Sequence, residues 1–342
     1  MAYSPQFQLS HTMMRLVAEI SEYIGQWSAS NQGALVPQLR KENRIRTIQA
    51  SLAVEQNTLT LEQVTAVIAG KTVLGAPKDI QEVHNAFAAY EAMPKWQPSN
   101  GDDLLSAHRI LMQGLVLDAG QWRSTGAGIY RGEQLVHMAP PASQVSRLMA
   151  QLLAWLNSTD AHPLIASCAF DYELEFIHPF SDGKGRMGRL WQTLILSHWQ
   201  PLLAYLPVET VIKDQQQAYY QAFRQADLSS DCSGFIEFLL DALATALKEA
   251  IAIEQKTQVQ MQVKTQVENQ ADMQQATPVV RSVKTPEQIL ALLSAQPELT
   301  LAEVAAHVGR AVSTIERAAA KLKQQGRLSY QGPKKGGHWQ VH

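Results

Sequence analysis

The sequence predicts a mainly α-helical protein, with one β-hairpin set into the helical body and a winged helix-turn-helix at the C-terminal end. Three observations carry this. Apolar residues recur at helical spacing through most of the first 250 residues. One segment, "STGAGIYRGEQLVHMAPP" at 124–141, instead has short apolar stretches on either side of Arg131-Gly132-Glu133-Gln134 and closes with two prolines, the mark of a hairpin with a glycine-containing turn. Residues 283–342 then run helix, helix, turn, helix, hairpin.

Taken in order, "MMRLVAEISEYI" at 13–24 places Leu16, Val17, Ile20 and Ile24 on one helical stripe. The runs 81–92, 102–116, 143–157 and 163–176 behave alike, and Pro163 suits a first helical turn, where its missing N–H costs nothing. A lone hairpin is marginally stable, so the one at 124–141 must rest on the helices. From about Ala250 the composition shifts: 254–278 is rich in glutamine, a polar helix or a linker with a boundary near Pro278. Beyond it, Thr285 and Pro286 can start a helix. Thr300 with Glu303 forms a capping box for a second, which Gly309 closes. A third helix is expected over 311–325, and "GPKKGG" joins two short strands.

The chain has 342 residues, room for two domains. Its two cysteines, Cys168 and Cys232, give neither a disulfide framework nor zinc-ligand spacing. The N-terminus lacks a basic segment followed by an apolar one, and no apolar run is long enough for a bilayer. The expectation is a cytoplasmic protein without membrane contact. The net charge of −2 hides an asymmetry: residues 281–342 carry nine Lys/Arg against four Glu, so this tail is +5 and the rest −7. A basic terminal module with its own partner is expected.

The chemistry concentrates in "FIHPFSDGKGRMGRLWQ", 176–192. Gly183 and Gly185 allow backbone N–H groups to converge on an anion. A helix starting near Arg186 adds its N-terminal partial charge. Arg186 and Arg189, three apart, share a face and suit phosphate oxygens. Asp182 is a hard ligand for Mg²⁺, and His178 titrates where it can accept a proton near neutral pH. These parts describe transfer from a nucleotide polyphosphate to a hydroxyl. No Walker A motif is present, because Gly185 follows Gly183-Lys184.

The segment resembles the signature of Fic-domain proteins, His-x-Phe-x-(Asp/Glu)-Gly-Asn-Gly-Arg-x-x-Arg. Here it reads His178-Pro179-Phe180-Ser181-Asp182-Gly183-Lys184-Gly185-Arg186-Met187-Gly188-Arg189, with Lys184 in place of asparagine. The resemblance implies a helical Fic core over 96–250, between an N-terminal helical region at 1–95 and a linker or polar helix at 251–282 leading to the winged helix at 283–342. It implies transfer of AMP from ATP, with Mg²⁺, to a protein Ser, Thr or Tyr hydroxyl. His178 would be the general base, Asp182 the metal ligand, Gly183, Lys184 and Gly185 the phosphate cradle, and Arg186 and Arg189 the holders of the outer phosphates, with Met187 and Gly188 between them in the nucleotide site. The hairpin would be the family's flap, with Leu135, Val136, His137 and Met138 over the nucleotide and its second strand aligning the target peptide. "QQAYYQAFRQAD" resembles the helix whose tyrosine pair touches the base, which points to Tyr219 and Tyr220.

A second stretch, "IQASLAVEQNTLTLEQV" at 48–64, resembles the inhibitory helix of many Fic proteins, (Ser/Thr)-x-x-x-Glu-(Gly/Asn). Ser51 and Glu55 match, and Gln56 departs from the last position. Near residues 48–57, Glu55 would pair with Arg189, deny it to the γ-phosphate and repel the phosphate. Other readings stay open at this level. The same site could remove AMP or transfer phosphate, as in the Doc branch. The chain could instead be a weakly catalytic DNA-binding regulator that senses nucleotide, with DNA met through 283–342. A homodimer is also left open.

Overall fold

The computed structural model describes residues 3–30, 37–131, 134–275, 285–333 and 336–342. These form two compact units, Met1–Gln258 and Val259–His342.

In the first unit, α1 (His11–Ser30) extends the expected 13–24 helix at both ends. Leu16, Ile20 and Ile24 are buried as the stripe requires, joined by Met13 and Trp27. The inhibitory segment belongs to α2 (Pro37–Val54), a longer helix than the 48–57 span suggested; it starts at a proline and stops just before Glu55. After α3 (Leu61–Ile68) and α4 (Pro77–Ala92) comes α5 (Gly101–Leu111), capped by the Asn100 side chain accepting from Asp102 and Asp103 N–H groups. The 102–116 periodicity overran this helix, because Gly114 takes a left-handed turn (φ 74°) and diverts the chain. The hairpin pairs β1 (Gly128–Arg131) with β2 (Gln134–Met138) antiparallel. Its register shifts between Ile129 and Tyr130, leaving Val136 as the extra residue of a bulge. Residues 132 and 133 of the expected turn lie outside the described residues.

The centre of the unit is the pair α7 (Pro163–Ile177) and α8 (Lys184–Trp199), which follow α6 (Ala142–Ser158) and are buried along almost their whole length. Phe170, Leu174, Met187 and Trp191 join the core that α2 to α6 build, while Leu164, Cys168 and Tyr172 face a second core. That second core is completed by α1, α9 (Val208–Asp214), α10 (Gln216–Ser229) and the first turns of α11 (Ser233–Gln275). The glutamine-rich stretch is therefore helical as far as Gln275, and residues 276–284 lie outside the described residues. Among the described residues no helix is long and apolar enough to cross a membrane.

The second unit packs α12 (Thr285–Ala295), α13 (Leu301–Val308) and α14 (Val312–Gln324) around Ile289, Leu293, Val304 and Ile315. The Thr300–Glu303 capping box forms and Gly309 takes the left-handed C-cap (φ 66°). A hairpin of β3 (Leu328–Gln331) and β4 (His338–Val341) closes the unit through Trp339, whose indole N–H donates to the Leu299 carbonyl (3.0 Å). Lys334 and Lys335 lie outside the described residues.

Candidate active site

His178 stands where α7 ends. Its backbone is left-handed (φ 52°, ψ 61°) while its N–H still donates to the Leu174 carbonyl (3.1 Å). That conformation costs an ordinary residue about 1–2 kcal/mol, and the surroundings impose it. Arg123, almost fully buried, donates from Nε to the His178 carbonyl (2.5 Å), from Nη1 to Thr125 O (2.7 Å) and from Nη2 to Pro140 O (2.5 Å). Its backbone N–H donates to the Pro179 carbonyl (2.9 Å). One guanidinium thereby ties the chain on both sides of the hairpin to the turn that carries His178.

The next residues are fixed from α5. Gly120 N–H donates to His108 Nδ1 (2.9 Å), so the ring proton sits on Nε2, which donates to the Asp182 carbonyl (3.0 Å). Burial lowers the His108 pKa and keeps the ring neutral. The ring stacks on Phe180, centroids 3.7 Å apart and planes within 7°. The motif phenylalanine is thus a core plug under the loop. Gly183, left-handed (φ 80°), is the N-cap of α8, and a Cβ there would lie 2.5 Å from Met112 Sδ. Only glycine fits, and the first turn of α8 presents its N–H groups to the loop as an anion cradle.

Arg186 and Arg189 reach out of that turn to different partners. Arg186 Nη1 pairs with Glu82 of α4 (2.9 Å) and Nη2 with Asp182 Oδ1 (3.3 Å). Glu82 is buried and also accepts from Asn57 Nδ2 (2.8 Å). The Asp182 side chain is half exposed and accepts from Gly183 N–H (2.6 Å). Among the described residues no group of three or more His, Cys, Asp or Glu is placed to hold a metal by itself. One hard, solvent-facing carboxylate beside an anion cradle still fits Mg²⁺, which is commonly held by one or two carboxylates with water and substrate phosphates.

Arg189 is 2% exposed. Its Nε donates to Ser51 Oγ (3.0 Å), and its Nη2 donates to the Ser51 carbonyl (2.9 Å) and to Glu55 Oε1 (2.8 Å). Burial opposes the charge of Arg189, but the Glu55 carboxylate outweighs it and the guanidinium pKa is raised. Glu55 is the last residue before a left-handed Gln56 (φ 68°). Asn57 N–H donates to Leu52 O and Gln56 N–H to Ala53 O, the Schellman pattern that ends a helix. This explains why glycine or asparagine suits the position after the glutamate, and Gln56 fills it under strain. The carboxylate occupies the space over Gly185, where a Cβ would lie 2.4 Å from Glu55 Oε1 and 3.1 Å from Glu175 Oε1.

Behind the loop lie buried acids that the sequence did not single out. Glu175 is raised in pKa by burial, against the pull of Lys184, whose Nζ lies 3.3 Å from it and 3.1 Å from His178 Nδ1. Burial, helped by Glu175, pushes Asp171 up to about 8, and burial pushes Glu209 up to about 7.

The predicted residues divide. His178, Asp182, Gly183, Lys184, Gly185, Arg186, Arg189 and Glu55 come together. Met187 and Gly188 do not face the loop: Met187 is fully buried in the core that α2 to α6 build, and Gly188 lies against Asp171 of α7. Tyr219 is core as well, its ring against Phe235 and Phe238, with its buried hydroxyl unpartnered among the described residues and within the field of Arg189. Tyr220, half exposed, is the member of the pair that reaches the surface. Leu135, Val136 and His137 lie on β2, whose backbone alone is described, and Met138 is exposed. His108, Arg123, Glu82 and Glu175 were missed. They lie outside the motif or in the apolar helix before it, and only the fold brings their side chains to the loop.

Comparison with known proteins agrees with this geometry. The model of the Fic/DOC family matches residues 98–196. Proteins named protein adenylyltransferase Fic from Aedes aegypti and Culex quinquefasciatus are 29% and 30% identical, over 63% and 59% of this chain. The matches cover 43% and 40% of those relatives, so the chain spans under half their length. The crystal structure of a Fic family protein from Desulfovibrio desulfuricans G20 is 46% identical over 99% of this chain and 98% of its own, with a TM-score of 0.72. On that near full-length likeness, and on the loop from His178 to Arg189 that it accompanies, the chain belongs to the Fic family.

Proposed function

We propose that this protein transfers AMP from ATP to a Ser, Thr or Tyr hydroxyl of a protein, and that Glu55 restrains it. The observation that carries the reading is the join of two helices: His178 at the end of α7 stands a few residues before the anion-binding start of α8. In this reading the hydroxyl oxygen attacks the α-phosphorus, His178 takes its proton, and the bond to the β-phosphate breaks with release of pyrophosphate. Asp182 would hold Mg²⁺, which neutralises phosphate charge. β2 would align the target through its backbone and Tyr220 would face the base. The names of the curated relatives support AMP transfer.

Glu55 acts through charge and through Arg189. A phosphate charge brought within about 4 Å of its carboxylate meets a repulsion of about 4 kcal/mol at an effective dielectric of about 20. Arg189, already satisfied by Ser51 and Glu55, has little left to offer the γ-phosphate. Purified protein given α-labelled or γ-labelled ATP with Mg²⁺ tests both parts. Label from the α position should rise at least about tenfold in Glu55→Gly and vanish in His178→Ala while ATP still binds. Label from the γ position alone would replace AMP transfer by phosphotransfer. Loss of AMP removal in Glu55→Gly, with no gain in transfer, would assign the carboxylate to positioning water.

For the second unit the proposal is contact with duplex DNA. Arg310, Ser313, Thr314, Arg317 and Lys321 are exposed along and just before α14, the third helix of the unit, where this motif reads the major groove.

A further inference from the structure

Lys184 is the one defining position at which this chain departs from the Fic pattern, and its ammonium does something an asparagine amide at that site would not be bound to do. Its Nζ lies 3.1 Å from His178 Nδ1 and 3.3 Å from Glu175 Oε2. An ammonium has donors and no acceptor. The contact with Nδ1 can then run only one way, with Lys184 donating. An imidazolium would set N–H against N–H, so the ring is neutral. Its single lone pair is the one at Nδ1, and the ring proton sits on Nε2. While this contact stands, the imidazole has no lone pair with which to take a proton, whichever nitrogen faces the substrate.

We propose that Lys184 is a positioning residue that latches the base: it occupies the lone pair of His178 in the resting protein and gives it up when nucleotide phosphate enters the cradle and draws the ammonium away. Lys184 is the first residue of α8 and part of that cradle, so a phosphate seated over Gly183 and Gly185 competes directly for its Nζ. The competition favours phosphate, whose several charges outweigh one buried carboxylate and a neutral ring. Once Nζ has moved, the freed lone pair accepts the hydroxyl proton as the oxygen–phosphorus bond forms and pyrophosphate departs with the electrons of the broken bond. This latch is separate from Glu55, which acts on Arg189, and it makes the base available only when a phosphate is present. It rests on the reading of His178 as the base.

The test reads the tautomer, not the turnover. In full-length protein labelled with ¹⁵N-histidine, with the His178 signals assigned by their loss in His178→Gln, wild type should show an unprotonated, hydrogen-bonded Nδ1 and a protonated Nε2 at neutral pH. Lys184→Met, which keeps the stem and removes the donor, should shift the Nδ1 resonance, and Lys184→Asn provides a second variant should the first fold poorly. In Glu55→Gly protein filled with α,β-methylene-ATP and Mg²⁺, as verified by calorimetry, Nδ1 should move toward the Lys184→Met value. A protonated Nδ1 in wild type, a signal indifferent to both substitutions, or one unmoved by the bound analogue would overturn the latch. Absence of α-label transfer, with the tautomer as described, would instead sink the AMP-transfer reading and leave the contact standing.

Discussion

Asp171 is buried with neither carboxylate oxygen hydrogen-bonded among the described residues, and burial together with Glu175 pushes its pKa from the ordinary 3.8 up to about 8. Between those values the unfolded chain has lost the proton and the folded chain keeps it. Folding then takes up a proton, and stability falls as pH rises from about 4 to 8. Asp171→Asn, nearly the same shape without the titration, should flatten that fall by up to about 1.4 kcal/mol per pH unit. Some slope remains through Glu209, raised to about 7. Thermal melts across this range check it, and parallel slopes for both proteins would refute the assignment. None of this was legible in "CAFDYELEF", where Asp171, Glu173 and Glu175 alternate with apolar residues and nothing marks a buried acid. Asp171 and Glu175 are buried against α8, and Glu173 accepts from the Tyr3 hydroxyl.

At the scale of the element, the join of α7 and α8 sets the site, and two glycines set the join. Gly183 makes the left-handed turn, and Gly188 lets the two helices meet, since a Cβ there would lie 2.1 Å from Asp171 Oδ1. Gly188→Ala should overpack this contact by about 1–3 kcal/mol, lowering Tm by about 5 °C. Because the clash is with one side chain, adding Asp171→Ala should return part of the loss; strictly additive losses in the double variant would place the strain elsewhere. The sequence did mark these glycines, but as part of a nucleotide loop. Gly183 and Gly185 lie in the turn that opens α8, whereas Gly188 serves packing, because one helical turn carries it from the loop to the face of α7.

At the scale of the whole molecule, charge is divided between the ends of the chain: +5 over 281–342 and −7 over the rest. If α14 meets duplex DNA, full-length protein should bind a labelled duplex weakly at low salt, with affinity falling steeply as salt rises. Arg317→Ala with Lys321→Ala should weaken binding to all sequences and flatten the salt slope by up to about two units. No change in fluorescence anisotropy at high micromolar protein would turn the module toward protein contact. The double variant should leave AMP transfer by Glu55→Gly protein unchanged, since neither residue belongs to the site built in the first unit.

The sequence by itself determined the helical character, the hairpin, the capped helices of the second unit and the loop from His178 to Arg189. These features are local: periodicity, caps and glycine turns act within a few residues, and a motif confined to twelve consecutive positions survives without knowledge of the fold. The resemblance of 48–57 to an inhibitory helix also linked Ser51 with Glu55 and implied that Glu55 would meet Arg189. Only the tertiary structure decided the partners that no motif names. Arg189 finds Ser51 across 138 positions, Arg123 finds the His178 carbonyl across 55, and His108 finds Asp182 across 74. Lys184 finds Glu175 and His178 because one left-handed residue and one glycine fold the end of α7 back onto the start of α8. A buried charge takes its partner from whatever element packs beside it, and that choice is made by the core, where close packing of many side chains fixes which helices are neighbours.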